Sequence, residues 1–512
     1  MDMDNEIKKK SSFGARAKDF LLVNRTPNQT VAKNTFWLTA SSFGGRLLKA
    51  VIIIYSARVL GAAEWGLFSY AVSFVAMVTV LTDFGIGPIL TREASRTSDP
   101  LKISQIVSTT FLLKIALLTV GVLVVVFVAP SFTTIKEARF LFPIVSLILV
   151  FDTLQGFGFS LARALEKMEL EAFLYMTTNI SIVIFGMLTL KYYPSVKFFA
   201  YAYVAGTGLG AIATLFVFRE YLVNIFSNFQ KKLITHIFSS AWPIIVSGFL
   251  GSLMLNTDIL LIGYFLSAKD VGIYSAADRP IQFLYLFPAI LAASIFPMLS
   301  RTANKDNRKT REVIEKILSL AYLISIPIVL GGIVLGGDII RVVFGLSYVG
   351  AATPFRILLA TLSINSITII LSNAIFAYDR QKDLIKFAAL GGISNLVFDL
   401  ILIPKFGITG SAFATLFAQI ISNIYIWTKM KTIVNFSVLP KLKKIAVAAV
   451  IMALAVFGLH RLELNLFANV AIGATIYLTL LYLMKEPMLR EIKLILRPGV
   501  SDGPENSGSV SL

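Results

Sequence analysis

Two basic residues stand inside an apolar run that should not carry them. Arg46 and Lys49 lie within residues 35–58, which are otherwise almost wholly apolar or small. A Lys or Arg near the middle of a membrane helix costs about 2.5–3.5 kcal/mol on insertion scales, so it needs a partner or a wet cavity. At about 100° per residue, Thr39, Ser42, Arg46 and Lys49 share one polar stripe of a helix. A guanidinium and an ammonium in such a place can hold a phosphate-bearing headgroup. The competing use of the same charges is internal neutralisation by Asp83, Asp152 or Asp258. The two uses are compatible if the carboxylates are resting-state partners.

Other polar residues interrupt apolar runs in the same way. Lys114 lies about ten residues into the run 104–129, open to substrate contact or to snorkelling toward the headgroups. Asp83, Asp152 and Asp258 are acids at membrane depth, suited either to a coupling proton or sodium ion or to ion pairs that set packing. Gln155 is three residues beyond Asp152, and Ser247, Gly251 and Met254 share a helix face with Asp258. Asn365, in line with Thr361, Thr368 and Ser372, and Gln419, in line with Thr415 and Ser422, offer groups that both donate and accept, as sugar hydroxyls require. Such groups also bind membrane helices to one another. Arg92 and Arg96, with Glu93 between them, follow the run 67–90, and can recruit an acidic headgroup, form an inner gate, or anchor the chain. Gly44-Gly45 and Gly391-Gly392 allow bending or close packing.

The elements that hold these residues follow from composition. Of 512 residues 56% are hydrophobic and 15% charged, too few polar groups to cover the surface of soluble domains. Long unbroken apolar runs, without strand alternation, predict an all-α polytopic membrane protein. Fourteen runs are long enough to span: 35–58, 67–90, 104–129, 140–162, 172–190, 198–218, 241–265, 281–299, 317–336, 356–377, 384–403, 409–428, 445–460 and 465–484. With the N terminus in the cytoplasm, and with Arg58, Arg356 and Lys386 at run ends counted with the adjoining segments, inner segments hold 33 of the 47 Lys and Arg, outer loops 11, and the helices three. That bias supports count and orientation together, and both termini are expected in the cytoplasm. It also accounts for the net charge of +18 without nucleic acid, through loops facing anionic headgroups. No cysteine occurs, and His236 and His460 are far apart, which excludes a thiolate or histidine metal cluster. No phosphate-binding G-x-x-x-x-G-K-[ST] loop is present, and the outer loops are too short for a catalytic domain, so the chain reads as a non-enzyme. Residues 1–33 and the tail from Pro498 read as disordered. The connection 219–240 alternates aromatic and basic residues and is either a solvated loop or an interfacial helix.

An internal repeat refines the architecture. Leu60-Gly-Ala-Ala-Glu-Trp-Gly-Leu-Phe-Ser-Tyr-Ala71 and Leu266-Ser-Ala-Lys-Asp-Val-Gly-Ile-Tyr-Ser-Ala-Ala277 are 206 residues apart and identical at five of twelve positions. An even number of helices separates them, so the repeats are parallel, a transporter pattern with the substrate site between lobes. The expected division is a basic segment 1–33, a first six-helix lobe 34–225, a second lobe 226–436, two further helices within 437–485, and a tail 486–512.

The segments Arg58-Val-Leu-Gly-Ala-Ala-Glu-Trp-Gly-Leu-Phe-Ser-Tyr, Thr82-Asp-Phe-Gly-Ile-Gly and Thr91-Arg-Glu-Ala-Ser-Arg96 resemble the polysaccharide-biosynthesis flippases, the Wzx-like branch of the MOP (multidrug/oligosaccharidyl-lipid/polysaccharide) exporter superfamily. Val271-Gly-Ile-Tyr-Ser-Ala-Ala and Phe406-Gly-Ile-Thr-Gly-Ser-Ala resemble its second-lobe counterparts, and the resemblance covers about 33–484. It implies a V-shaped two-lobe transporter in a bacterial or archaeal inner membrane, a monomer that moves polyprenyl-diphosphate-linked oligosaccharide to the outer leaflet by alternating access. A polysaccharide polymerase or glycosyltransferases would be its partners, and no cofactor beyond a coupling cation is implied. The chain is more distantly similar to lipid II flippases and to cation-coupled MATE exporters of drugs or metabolites, the alternative function. The lipid II branch usually carries Arg-Asp inside its first helix, whereas Leu47 follows Arg46 here.

Overall fold

Lipid offers no hydrogen-bond partners, so an apolar run must satisfy its own backbone and becomes a helix. In the computed structural model, which describes residues 27–489, the described residues form helices and turns and no strand. The longer helices are α1 (Pro27–Asp83), α2 (Ile86–Ser95), α3 (Pro100–Leu123), α4 (Leu141–Ala164), α5 (Met168–Tyr192), α6 (Val196–Val217), α7 (Lys231–Phe265), α8 (Ala268–Leu284), α9 (Leu286–Thr302), α10 (Asn307–Phe344), α11 (Ala352–Ala377), α12 (Gln381–Ile433), α13 (Lys443–Arg461) and α14 (Leu466–Leu483). Residues 27–33, expected to be disordered with the rest of 1–33, instead open α1, where the buried Lys33 pairs with Glu169 (2.8 Å); the residues before 27 and the tail from Pro498 lie outside the described range.

Among the described residues, twelve helical stretches are long and apolar enough to cross a bilayer. Two are too long for one crossing. α1 has 57 residues, about 85 Å if straight, against a hydrocarbon core of about 30 Å. It breaks at Gly61 (φ 74°), and the 53-residue α12 breaks at Gly407 (φ 59°), where only a residue without Cβ is unstrained. Both breaks fall where the sequence places outer turns.

One boundary is corrected. The eighth run, expected at 281–299, starts as helix at Ala268 and is interrupted at Tyr285. Lys269, Asp270, Asp278 and Arg279 make 268–280 read as a loop. Close packing of its small residues on α1 makes it a helix. The connection 219–240 is not one interfacial helix either. A single turn, Arg219–Leu222, precedes α7, with Phe218 and Ile225 buried and Val223 and Phe226 exposed.

The described chain divides into two compact units. The first holds the residues up to Leu284 with Ile340–Leu358 and Gln381–Tyr425. The second holds Tyr285–Ile339, Leu359–Arg380 and the residues from Ile426 on. In the first, α1 packs on α5 through its glycines. A Cβ at Gly45 would enter the Tyr175 ring, and one at Gly44 would press on Met176. Close packing is thus the use of Gly44-Gly45. Glu64 accepts the N–H of Val196 (2.8 Å) and so caps the N-terminus of α6, a favourable site for an anion. In the second, Leu323, Leu335, Ala448, Met452 and Tyr477 form the core, and the Tyr477 hydroxyl donates to Leu323 O (2.8 Å).

The two repeat segments touch. A Cβ at Gly66 would fall on the Ala268 carbonyl, and a Cβ at Gly272 on the Ala62 carbonyl. Both pairs are related by the 206-residue offset, so the contact lies on the repeat's own two-fold axis. Backbone cannot yield as a flexible side chain can. Gly66→Val is therefore expected to cost at least the roughly 1–3 kcal/mol of an overpacked core, seen as a lower melting temperature and yield of monodisperse protein. An unchanged melting temperature would contradict the contact.

Candidate functional site

Lys49 occupies the centre of a group drawn from five helices of the first unit. Its ammonium lies 5.7 Å from the centroid of the Tyr175 ring on α5. Its electrostatic neighbours are Tyr203 (α6), Tyr175, Asp152 (α4) and Arg279 (α8). Lys49 is half-buried and Asp152 exposed. Neither Lys49 nor Asp152 forms an ion pair or a side-chain hydrogen bond among the described residues. Arg279 donates to Gln282 Oε1 (3.2 Å), and its Nε is buried without a partner. Gln282 in turn donates to Asp278 (2.6 Å). Asp152 neighbours Lys49 and Asp278 neighbours Arg279, yet neither cation is in an ion pair among the described residues, so both keep donors to spare, an arrangement that suits an anion carrying several acceptor oxygens. Tyr175 and Tyr203 add aromatic faces and hydroxyls beside the charges.

The rest of the α1 stripe is open. Thr39, Ser42 and Arg46 are exposed, and Arg46 makes no side-chain bond among the described residues. Lys114 is placed differently. It is buried, and its ammonium sits 2.6 Å from Asp83 Oδ1. The pair neutralises both charges, so Asp83 serves Lys114 rather than Lys49. Lys114 is the buried member of the pair, so removing Asp83 leaves a buried ammonium uncompensated. Asp83→Asn is expected to cost on the order of 3 kcal/mol, and Asp83→Asn with Lys114→Met to recover most of it, by thermal unfolding in detergent. Equal loss in the single and double variants would mean that the pair is not the cause. Gln155 is also used internally, donating to Thr178.

A second group forms around Asp258 on α7. Its Oδ2 accepts from the Tyr274 hydroxyl and from Thr415 Oγ1 (2.6 Å). The carboxyl of Asp399 adjoins it and accepts from Ser411 Oγ (2.9 Å). Asp258 and Asp399 are buried, and Asp258 Oδ1, Asp399 Oδ2 and both side-chain atoms of Asn395 lack a partner among the described residues. Asn395 and Asp399 are one turn apart on α12 before the Gly407 break; Ser411 and Thr415 are one turn apart after it. Two adjoining buried carboxyls need a proton or a cation between them. The donor set of carboxylate, amide and hydroxyl oxygens fits a hard cation. Close approach of α12 to α7 uses Gly391 and Gly392, whose Cβ atoms would meet Met254 Sδ and the Leu250 carbonyl.

Arg92 and Arg96 stand exposed at the end of α2, both on Glu93, with Arg92 Nη2 at 2.7 Å and Arg96 Nη1 at 3.8 Å. His236 at the start of α7 adds a third contact to Glu93 (3.5 Å). Burial pushes the Glu93 carboxyl up, but the hydrogen bonds and charges of Arg92 and His236 outweigh it and hold it below the usual range. Asn365 belongs to the second unit, half-buried with Oδ1 unpartnered. Gln419 is buried in α12, its backbone carbonyl accepting from Asn423 (2.8 Å).

Of the residues singled out from sequence, the structure brings Lys49 to Asp152 and Lys114 to Asp83. It supplies Asp258 with Asp399 and Tyr274, Asp399 with Ser411, and Lys49 with Arg279, Tyr175 and Tyr203, none of which the sequence reading selected for a site.

Residues 31–303 match the family described as polysaccharide biosynthesis protein, and residues 243–401 match the MatE family. Among curated relatives, the chain is 25% identical to the probable low-salt glycan biosynthesis flippase Agl15 of Haloferax volcanii, over 88% of this chain and 96% of that protein. It is 25% identical to the probable flippase AglR of the same organism, over 75% and 81%. Among solved structures, the lipid II flippase MurJ in an inward closed conformation superposes with a TM-score of 0.74 at 18% identity, over 88% of this chain and 99% of that one. That likeness is one of fold.

Proposed function

The chain belongs to the polysaccharide biosynthesis protein family, and on that premise we propose that it is a multi-pass membrane flippase. Its cargo is a polyprenyl-diphosphate-linked oligosaccharide, moved from the inner to the outer leaflet for surface polysaccharide. One observation supports the choice of cargo: two neighbouring cations at membrane depth, Lys49 and Arg279, are each without an ion pair among the described residues. An anionic diphosphate supplies the partner that both lack. The runner-up, a MATE-type exporter, draws on the match at 243–401. Its cationic cargo would meet repulsion from Lys49 and Arg279.

In this reading the diphosphate rests between Lys49 and Arg279 while the prenyl tail stays in lipid. Tyr175 and Tyr203 flank the first sugar. Arg46, Ser42 and Thr39 line the approach along α1, Gln419 meets further sugars, and Arg92 and Arg96 gather the headgroup at the inner mouth. Asp258, Asp399, Asn395 and Thr415 hold a coupling proton or sodium ion. α1 and α12 each cross twice, which makes fourteen crossings with both termini cytoplasmic. The protein works as a monomer beside the polymerase or transferases that use its product, in the inner membrane, and catalyses no bond change itself.

The test is flipping in vesicles. Purified protein should make a fluorescent prenyl-diphosphate glycolipid accessible to an outside quencher in a cation-gradient-dependent manner. Movement of cationic dyes with unchanged glycolipid orientation would replace this reading with the exporter.

A further inference from the structure

Asp278 and Gln282 hold neither cargo nor cation in the reading above, yet they stand between the two sites. Tyr274, Asp278 and Gln282 follow at four-residue intervals and share one face of α8. At one end of this row the Tyr274 hydroxyl donates to Asp258. At the other, Arg279 donates through Nη1 to Gln282 Oε1 (3.2 Å), and Gln282 donates through Nε2 to Asp278 Oδ2 (2.6 Å). Tyr274 is buried, and Asp278, Arg279 and Gln282 are half-buried. The electrostatic neighbours of Asp278 are Arg279 and Asp258. One carboxyl thus faces a cargo cation on one side and a coupling acid on the other. Its tie to Arg279 runs through the Gln282 amide, with no ion pair to either neighbour among the described residues.

An acid so placed answers to both neighbours. A negative Asp258 works against a negative Asp278, and the Arg279 guanidinium works for it. Partial burial keeps salt from screening either effect. While the Asp258–Asp399 pair is empty, repulsion from Asp258 opposes Asp278 as counter-ion to Arg279. A cation in the pair offsets Asp258, and Asp278 becomes the better partner for Arg279, in competition with the cargo.

We propose that Asp278 is a displaceable competitor for Arg279 that links the two sites, so that filling the Asp258–Asp399 pair weakens the hold on an anionic headgroup. By linkage, headgroup binding weakens the hold on the cation by the same factor. That is the sign an exchange of inward cation for outward cargo requires. A direct field effect has the opposite sign, because a cation near Arg279 by itself attracts an anion. The identity of the two sites rests on the function proposed above; the link between them rests on the contacts of Asp278.

The probe is inorganic pyrophosphate, titrated calorimetrically into the full chain in detergent. Asp258→Asn stands in for the filled pair: the amide keeps an acceptor for Tyr274 and Thr415 and carries no charge. It should weaken pyrophosphate binding about fivefold or more. Asp278→Asn should bind pyrophosphate more tightly than the wild type, and adding Asp258→Asn to it should not weaken binding. Binding that Asp258→Asn strengthens or leaves unchanged, or weakens equally once Asp278 is replaced, overturns the link. If Asp258→Asn does not accumulate, Asp278→Asn alone decides, and an affinity equal to wild type overturns the competitor. If Arg279→Ala binds pyrophosphate as the wild type does, the cargo reading falls, and melting temperatures decide the link without cargo. Asp258→Asn and Asp278→Asn relieve the same repulsion, so their shifts should not add. Additive shifts overturn it.

Discussion

Vesicles carrying Arg279→Ala or Lys49→Ala should flip prenyl-diphosphate glycolipid at least tenfold more slowly than the wild type, and the double variant not measurably. A hydrogen bond to a charged group contributes about 1.5–3 kcal/mol, so each cation accounts for roughly tenfold to 150-fold in binding. Among the described residues neither holds the fold through an ion pair: Lys49 lies over the Tyr175 ring, and Arg279 donates to Gln282. Melting temperatures should therefore stay close to wild type, which separates lost binding from lost structure. Lys49→Arg keeps the charge and should keep most of the rate. Asp152→Asn has the opposite sign. Removing the acid near Lys49 leaves that ammonium without an internal competitor, so the headgroup should bind more tightly and leave more slowly. Wild-type flipping in Lys49→Ala and Arg279→Ala would remove the cation pair as the cargo site.

The membrane class was legible because in lipid the length of an apolar run decides its structure. That logic weakens wherever packing rather than hydropathy makes a helix. Residues 268–280 carry four charges, and a hydropathy window reads them as an outer loop. They are helical because Gly272, Ser275, Ala276 and Ala277 bring the backbone against α1. Arg279 was counted as a loop residue for that reason and missed as a site. Its signal was available in the repeat, since the matched segment 60–71 runs directly into an apolar span. Asp399 was passed over for the opposite reason. It lies inside an apolar run whose span was never in question, and the spacing that marks it, an amide and an acid one turn apart, was not sought there. Pairing was the least legible feature. Asp83, Asp152 and Asp258 were interchangeable partners for the cations on α1. Only the tertiary arrangement gives Asp83 to Lys114, sets Asp152 beside Lys49, and buries Asp258 against Asp399.

That last placement leads to the second large effect. Asp399→Asn and Asp258→Asn should each abolish the dependence of flipping on a cation gradient while leaving slow, gradient-independent exchange. In the wild type two carboxyls adjoin, both buried, each with an oxygen that no donor satisfies. Two negative charges there repel strongly in a low-dielectric surrounding. The arrangement is stable only with a proton or a cation between them. A cation that binds the folded state alone stabilises it by RT ln(1 + [L]/Kd), about 2.7 kcal/mol at a hundredfold excess over Kd. Sodium should thus raise the melting temperature of the wild type more than potassium does at equal ionic strength, and should do so in neither variant. If a proton is the occupant, acidification gives the same stabilisation and sodium does not. In cation-free buffer the variants should melt no lower than the wild type, because each replaces a repelling pair by an acid and an amide of the same shape. Thr415→Ala removes one hydroxyl that contacts Asp258 and should weaken cation binding without abolishing it. Full gradient dependence in Asp399→Asn would exclude this pair as the coupling site. It would leave Asp152, the one other acid placed at membrane depth without a direct partner, to carry coupling alongside the cargo.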